Sequence, residues 1–289
     1  MMNSEVEKHP FQLRCITYLV PSIPVEFFET LVHLFEEKLG IPTSLIYESR
    51  GNGGPLADHE DPFKSDWAHV GFMSSSGYLR MKEEKWMSVE LLPVSSVHIH
   101  KKKLTIPGVL VDVIVHSDTR DRIKEFMDLR GCKWAYTYST SISSSILATY
   151  KLKQLGETSN FFGDHLVSGS HVNSINMVLM KQAEASAVDA NALANWAAHN
   201  PRLATEISVV DTWGPTPPYA IVVSKSLPGE LKSKLTEVLL NLHNDKKWTE
   251  KLNSFFVSHF LPIGDHVFTF EKDIASLVKD QGIDQRIYY

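Results

Sequence analysis

The chain has 289 residues, 43% of them hydrophobic and 22% charged, enough to bury one large core or two of domain size, which excludes disorder and coiled coil. Lys and Arg total 29 against 34 Asp and Glu, a formal net charge of −5, so no global basic field draws the protein to nucleic acid or to an anionic membrane. Cys15 and Cys132 are the only thiols; they are too few for a secreted disulfide scaffold and read as core residues in a reducing compartment.

In chain order, the apolar, β-branched stretch 13–20 predicts a strand. Phe27, Phe28, Leu31, Val32, Leu34, Phe35 and Leu39 then recur at helical spacing, with Pro24 near the first turn and Gly40 where a terminating glycine belongs. A second strand follows at 43–49, completing the βα repeat of a parallel sheet. The Gly- and Pro-rich stretch 50–66 is a loop, 67–73 a third buried strand, and 74–86 the start of a short helix. Residues 87–117 are β-rich, with a turn at "KKKLTIPG". His98 and His100 share one strand face without a third ligand nearby, and they read as surface histidines.

From 118 the pattern restarts. A helix over 118–131 and a strand over 133–138 are followed by a helix at 143–156, a short strand at 165–169 and a helix at 171–184. A strand at 185–189, a helix at 190–200 and a strand at 205–211 complete the set. A proline-rich crossing at 212–224 enters another strand, and helices are predicted at 228–244, 246–256 and 271–282. Alternating strands and helices predict α/β sheets. Two such sets, separated by extended segments near 97–117 and 212–224, predict two lobes: residues 1–107 with 215–289, and 108–214. The final helices return to the first lobe, so the chain crosses twice, an arrangement that invites a hinge and a ligand cleft.

The densest chemical signal is "WAYTYSTSISSSILATYKLKQLG", which sets Ser139, Thr140, Ser141, Ser143, Ser144 and Ser145 between a strand and a helix start. Free first-turn amides, a partial positive charge and added hydroxyls make such a junction an oxyanion site; the alternative is one capping serine among solvated neighbours. Phosphate-loop, dinucleotide, nucleophile-elbow and zinc-hydrolase motifs are absent. No catalytic residue, metal or cofactor is therefore expected.

This segment resembles the "STSG" turn of the phosphate, phosphite and phosphonate-binding (PhnD-like) solute-binding proteins of ABC importers. "IPVEFFETLVHLFEEKLGIPTSLIYES", "SDWAHVGFMSSSGYL", "SGSHVNSINMVLMKQAEASAVDANAL" and "TPPYAIVVSKSLPGELKSKLTEVLLNL" are similar to further family segments in the same order, over residues 12–260. The resemblance implies the type II periplasmic binding protein fold, two α/β lobes on a two-stranded hinge. It implies that Ser139, Thr140 and Ser141 hold the oxygens of a small anionic ligand, with Thr137 and Tyr138 just before them. His171 matches the family's Ser-His pair or is a capping histidine; Asp189 faces the cleft as an acceptor or caps a helix.

Ile142 stands where the family has glycine and Phe72 where it has proline, substitutions that would narrow the cleft or alter its ligand. Arg50, at a strand C-terminal end, is either an anion ligand or a solvated loop residue. Tyr47, Ser74, Ser75, Tyr136 and Trp213 are further cleft candidates, with core packing the alternative for the aromatic ones. An enzyme on the same scaffold would draw on His69, His171 and Asp189, which spacing alone does not bring together. A cleft degenerated into a protein-interaction surface is a third reading. No basic n-region and apolar run marks the N-terminus, so the expectation is a cytoplasmic protein without membrane insertion, for which an ABC permease is an unexpected partner.

Overall fold

A computed structural model describes residues 11–280. Three sheets organise the described residues. The first has the order β2-β1-β3-β11-β4, from β1 (Leu13–Thr17), β2 (Thr43–Tyr47), β3 (Val70–Met73), β4 (Val89–Leu91) and β11 (Ala220–Ser224). Strands β1, β2 and β3 are parallel, with Leu13 opposite Thr43 and Cys15 opposite Val70, whereas β11 runs antiparallel to both its neighbours. The second sheet has the order β10-β6-β9-β7-β8, from β6 (Val109–His116), β7 (Lys133–Tyr136), β8 (Asp164–Val167), β9 (Ala185–Asp189) and β10 (Ile207–Thr216). Here β8, β7 and β9 are parallel, and β6 and β10 close the edge antiparallel. A small antiparallel pair joins β5 (Val94–His98) to β12 (Val257–Pro262).

Helix α1 (Val25–Leu39) forms where the apolar spacing predicts it. It buries Phe27, Phe28, Leu31, Val32, Leu34 and Phe35 against the first sheet, each worth roughly 1.5–3 kcal/mol. It stops at Gly40, whose left-handed φ of 65° lets its amide reach the Glu36 carbonyl. Helices α6 (Gly229–Leu240) and α7 (Lys246–Asn253) share that core through Leu231, Leu235, Leu239, Trp248 and Leu252. The second core gathers Val111, Val113, Phe126, Trp134, Phe161, Phe162 and Trp213. Helices α3 (Leu147–Gln154), α4 (His171–Leu179) and α5 (Ala190–His199) complete that half, and α2 (Ser75–Glu83) follows β3. Cys15 and Cys132 are both buried free thiols.

Four expectations change. The segment 118–131 is two short 3₁₀ turns, Ser117–Thr119 and Phe126–Leu129. The Asp128 carboxylate accepts from the amides of Lys124 and Glu125, taking donors that a helix would have used. Strand β12 follows α7 where no strand was anticipated, because its apolar residues alternate imperfectly around a register shift between Val257 and His259. His98 is buried at 5% exposure and His100 lies 3.4 Å from Asp112, so neither is a free surface histidine.

The last helix, α8 (Thr269–Val278), does not simply return to the first half: Phe268 just before it packs in a cluster with Tyr78 and Met81 of α2, while Ile274 packs in the second core. The ends of the chain assigned to the first lobe, 1–10 and 281–289, lie outside the described residues.

The loop after β2 seats directly on α2. A Cβ on Gly77 would stand 2.2 Å from the Gly53 carbonyl oxygen, whereas one on Gly229, at the start of α6, would meet nothing within 4 Å. Gly77→Ala should therefore lower stability by about 2 kcal/mol, the usual scale of overpacking, and Gly229→Ala should leave it within about 0.5 kcal/mol. Equal urea midpoints for the two variants would contradict the packing described.

Candidate functional site

Parallel strands deliver their C-terminal ends, and the helices that follow, to one edge of each sheet. Between the two edges lies a cavity of about 290 Å³. The first half contributes Leu19–Ser22 after β1, Gly51–Gly53 after β2, and Ser74, Ser75 and Ser76 at the start of α2. The second contributes Thr137, Tyr138 and Thr140–Ser143 after β7, His171 at the start of α4, and Asp189 at the end of β9. Val109, Thr216, Pro217, Tyr219 and Glu271 complete the lining, which among the described residues includes no Lys or Arg.

The hydroxyl-rich turn is braced from below. One π turn, Ile142–Ile146, runs straight into α3, and Ser141 caps it by accepting from the Ser144 amide at 3.3 Å. Ser144 is buried, accepts from the Thr137 amide at 3.0 Å, and shares a 2.9 Å hydrogen bond with the Thr137 hydroxyl. The Trp134 indole donates to the Ser144 carbonyl at 3.3 Å. The amides of Ser144, Ser145 and Ile146 all bond back to Ser141, so the turn is held by its own capping residue from a fixed support.

Across the turn, Ser170 caps α4 by accepting from Asn173. His171 follows it, its Nε2 3.1 Å from Asp189 Oδ2. Burial pushes the Asp189 carboxyl up, but the facing His171, then Ser143 and His98, outweigh it and hold the carboxyl below its ordinary range. On the first half, the Ser74 side chain accepts from the Gly77 amide, and its backbone amide donates to the Gly53 carbonyl at 2.9 Å. Asn191, two residues after Asp189, donates to the Ser22 carbonyl at 3.0 Å, tying the halves together beside the cavity.

Buried polar atoms normally find partners. Around this one cavity, Asn52 Nδ2, His171 Nδ1, Asp189 Oδ1, Tyr219 Oη and Glu271 Oε2 are all buried and have no hydrogen-bond partner within the protein. They offer donors and acceptors, converging with the Ser and Thr hydroxyls, without a fixed cation.

Of the residues singled out from sequence, Tyr138, Thr140, Ser141, His171, Asp189, Ser74 and Ser75 line the cavity, as does Thr137. Four do not. Ser139 is exposed at the tip of the turn, and Ser143 lines the cavity in its stead. Arg50 is spent on Glu48 and Glu60, at 2.9 and 2.8 Å, and its hydrogen bonds hold the Glu48 carboxyl at about 2. Tyr47 donates to Glu29 on α1. Trp213 is in the second core, edge-on to Phe126, with its indole donating to Asp211 at 2.6 Å.

Tyr136 is likewise core. Phe72 stacks on Phe28 and does not line the cavity, whereas Ile142 does. His69 accepts from the Arg14 amide and lies off the lining, so it does not join His171 and Asp189. Sequence reasoning missed Asn52, Tyr219 and Glu271. Asn52 sits in a Gly-rich loop that signalled only a turn, and the other two reach the cavity from distant segments.

The model of the family described as phosphonate ABC transporter periplasmic substrate-binding protein matches residues 21–268. The chain belongs to that family, a family of transporter substrate-binding components and not of enzymes. This overturns the cytoplasmic expectation and the low weight given to a permease partner, since the family is periplasmic and serves ABC transporters. No curated protein sequence matches the chain.

Among solved structures, PhnD1 from Prochlorococcus marinus in complex with methylphosphonate aligns at TM-score 0.71 and 15% identity, covering 94% of this chain and 99% of that one. A binding component of an ABC phosphonate transporter from Pseudomonas aeruginosa gives 0.68 and 13%, covering 94% and 88%. A Xanthomonas citri protein bound to ATP gives 0.61 and 15%, covering 93% and 98%. At such identities the likeness shows the fold, that of the type II periplasmic binding proteins.

His98 lies beneath the site, beside Asn191 and Asp189. Burial lowers its pKa from the ordinary 6.5 to about 4. As pH falls past 6.5 the unfolded chain takes the proton while the native one resists until about 4, so stability is lost across that window, by up to about 3 kcal/mol. His98→Gln should remove most of that loss. Urea unfolding at pH 7 and pH 4.5 that shows the same loss in both proteins would contradict it.

Proposed function

We propose that this protein captures a phosphonate or closely related tetrahedral oxyanion between its two halves and presents it to an ABC permease. In this reading the hydroxyls of Thr137, Thr140, Ser141 and Ser143, with the amides of Ile142 and Ser143 at the start of the π turn, hold the oxyanion. Asn52 and the Ser74–Ser76 hydroxyls approach it from the other side. His171 and Asp189 orient its remaining atoms. The observation that carries the reading is the set of buried, unpartnered polar atoms around one cavity, since leaving each such group unsatisfied costs about 1–3 kcal/mol that a matching ligand would recover.

Five or six hydrogen bonds to an ionic ligand, at about 1.5–3 kcal/mol each, exceed the roughly 4 kcal/mol minimum for lost freedom, so micromolar affinity needs no metal or arginine. The lobes in this reading are residues 11–107 with 215–280, and 108–214. They hinge where the chain leaves β5 for β6 and β10 for β11.

Isothermal titration with methylphosphonate, phosphite and phosphate tests it. The Thr140→Ala, Ser141→Ala double variant should bind methylphosphonate at least tenfold more weakly, while losing only about 1 kcal/mol of stability through the Ser141 cap. An unchanged dissociation constant would remove these hydroxyls from the site, and failure of the native protein to bind any of the three anions would overturn the reading.

A further inference from the structure

Glu271 is unlike the other groups around the cavity. It comes from α8, outside both sheets, and is 5% exposed. One side of its carboxyl faces Ser75 at the start of α2; Oε2 has no partner. The neighbouring charges are committed elsewhere. On α2, Tyr78 and Lys82 engage Asp265, and Glu83 engages Lys272 of α8. On α3, Lys153 donates to the Leu277 carbonyl at 2.7 Å. Across the cavity Asp189 is paired with His171, and Tyr219 is a neutral phenol. Burial pushes the Glu271 carboxyl up, and Ser75 only partly offsets this.

An unpaired carboxylate beside a bound oxyanion repels it, whereas one proton between them turns the repulsion into a short charge-assisted hydrogen bond. We propose that Glu271 is a specificity-determining residue that shares one proton with the bound oxyanion, so that the site favours anions able to carry a P–OH over those that cannot. This rests on the oxyanion reading above and names the chemical class within it.

A phosphonate or phosphate ionises a second time near neutral pH, as phosphate esters do. It therefore brings the shared proton or accepts it. A sulfonate of the same shape has no proton to bring and must rely on Glu271 holding its own, which becomes harder as pH rises. Glutamine at the same position has an amide that donates at every pH, so it serves both anions alike.

The test compares methylphosphonate with methanesulfonate by isothermal titration at pH 6.5 and 8.5, in buffers of different ionisation enthalpy. The native protein should prefer methylphosphonate at least thirtyfold at pH 8.5, with less preference at pH 6.5, and its binding enthalpy at pH 8.5 should vary with buffer as a net proton is taken up. Glu271→Gln should narrow the preference to under threefold at both values and remove most of the buffer dependence.

A Glu271→Gln protein that keeps the native preference and proton uptake would overturn the assignment while leaving the oxyanion site standing. If the variant does not fold, the native protein decides alone: no proton exchange at pH 8.5 overturns the proposal. Native protein that binds neither anion overturns the underlying site reading, and this inference with it.

Discussion

Hydrogen bonding left unfinished at one place is the constraint from which the rest of this molecule follows. Burying a donor or acceptor without a partner is expensive, and five side chains around a single cavity carry that cost together. A fold held only by its cores would pair or solvate them. Here the surrounding architecture is built to keep them in place: Ser144 fixes Thr137 from below, Ser141 and Ser170 cap the helices that present their neighbours, and the glycine contact of Gly53 with Gly77 pins the opposite wall.

The two sheets supply the geometry because parallel strands end together, so that loops far apart in sequence open onto one edge. Links beside the cavity then connect the two halves. Asn191 reaches the Ser22 carbonyl, and α8 joins the α2 side of the first half to the second core through Phe268 and Ile274. Among the described residues the lining holds no lysine or arginine, so in the proposed reading recognition falls to dipoles with fixed directions. Such groups select by shape and by the number of protons on the guest more than by its net charge.

Much of the fold is legible in the sequence because periodicity reports burial. The apolar face of α1, the strand at 13–17 and the alternation from β6 to β10 are visible as patterns. The exceptions have local causes. Asp128 diverts the backbone of 118–131 from a helix, and β12 is short and irregular in register. The hydroxyl cluster announces the site, yet a turn has no period, so nothing in the spacing distinguishes exposed Ser139 from Ser143, which lines the cavity. Arg50 is a plausible anion ligand until Glu48 and Glu60 are seen to hold it, and Trp213 until Phe126 and Asp211 are. Glu271 lies in an ordinary amphipathic stretch, and only the three-dimensional path of α8 brings it to the cavity. The family resemblance was readable from ordered segments, whereas the compartment was misread from the N-terminal stretch.

A crystal structure of the protein with methylphosphonate tests the central claim most directly. The account predicts the phosphonate oxygens about 3 Å from the Thr140 and Ser141 hydroxyls and from Asn52 Nδ2, within hydrogen-bond range of both halves at once. A ligand held by one half alone, or at another face of the molecule, with Asn52 Nδ2, Asp189 Oδ1 and Glu271 Oε2 still unpartnered, would contradict it.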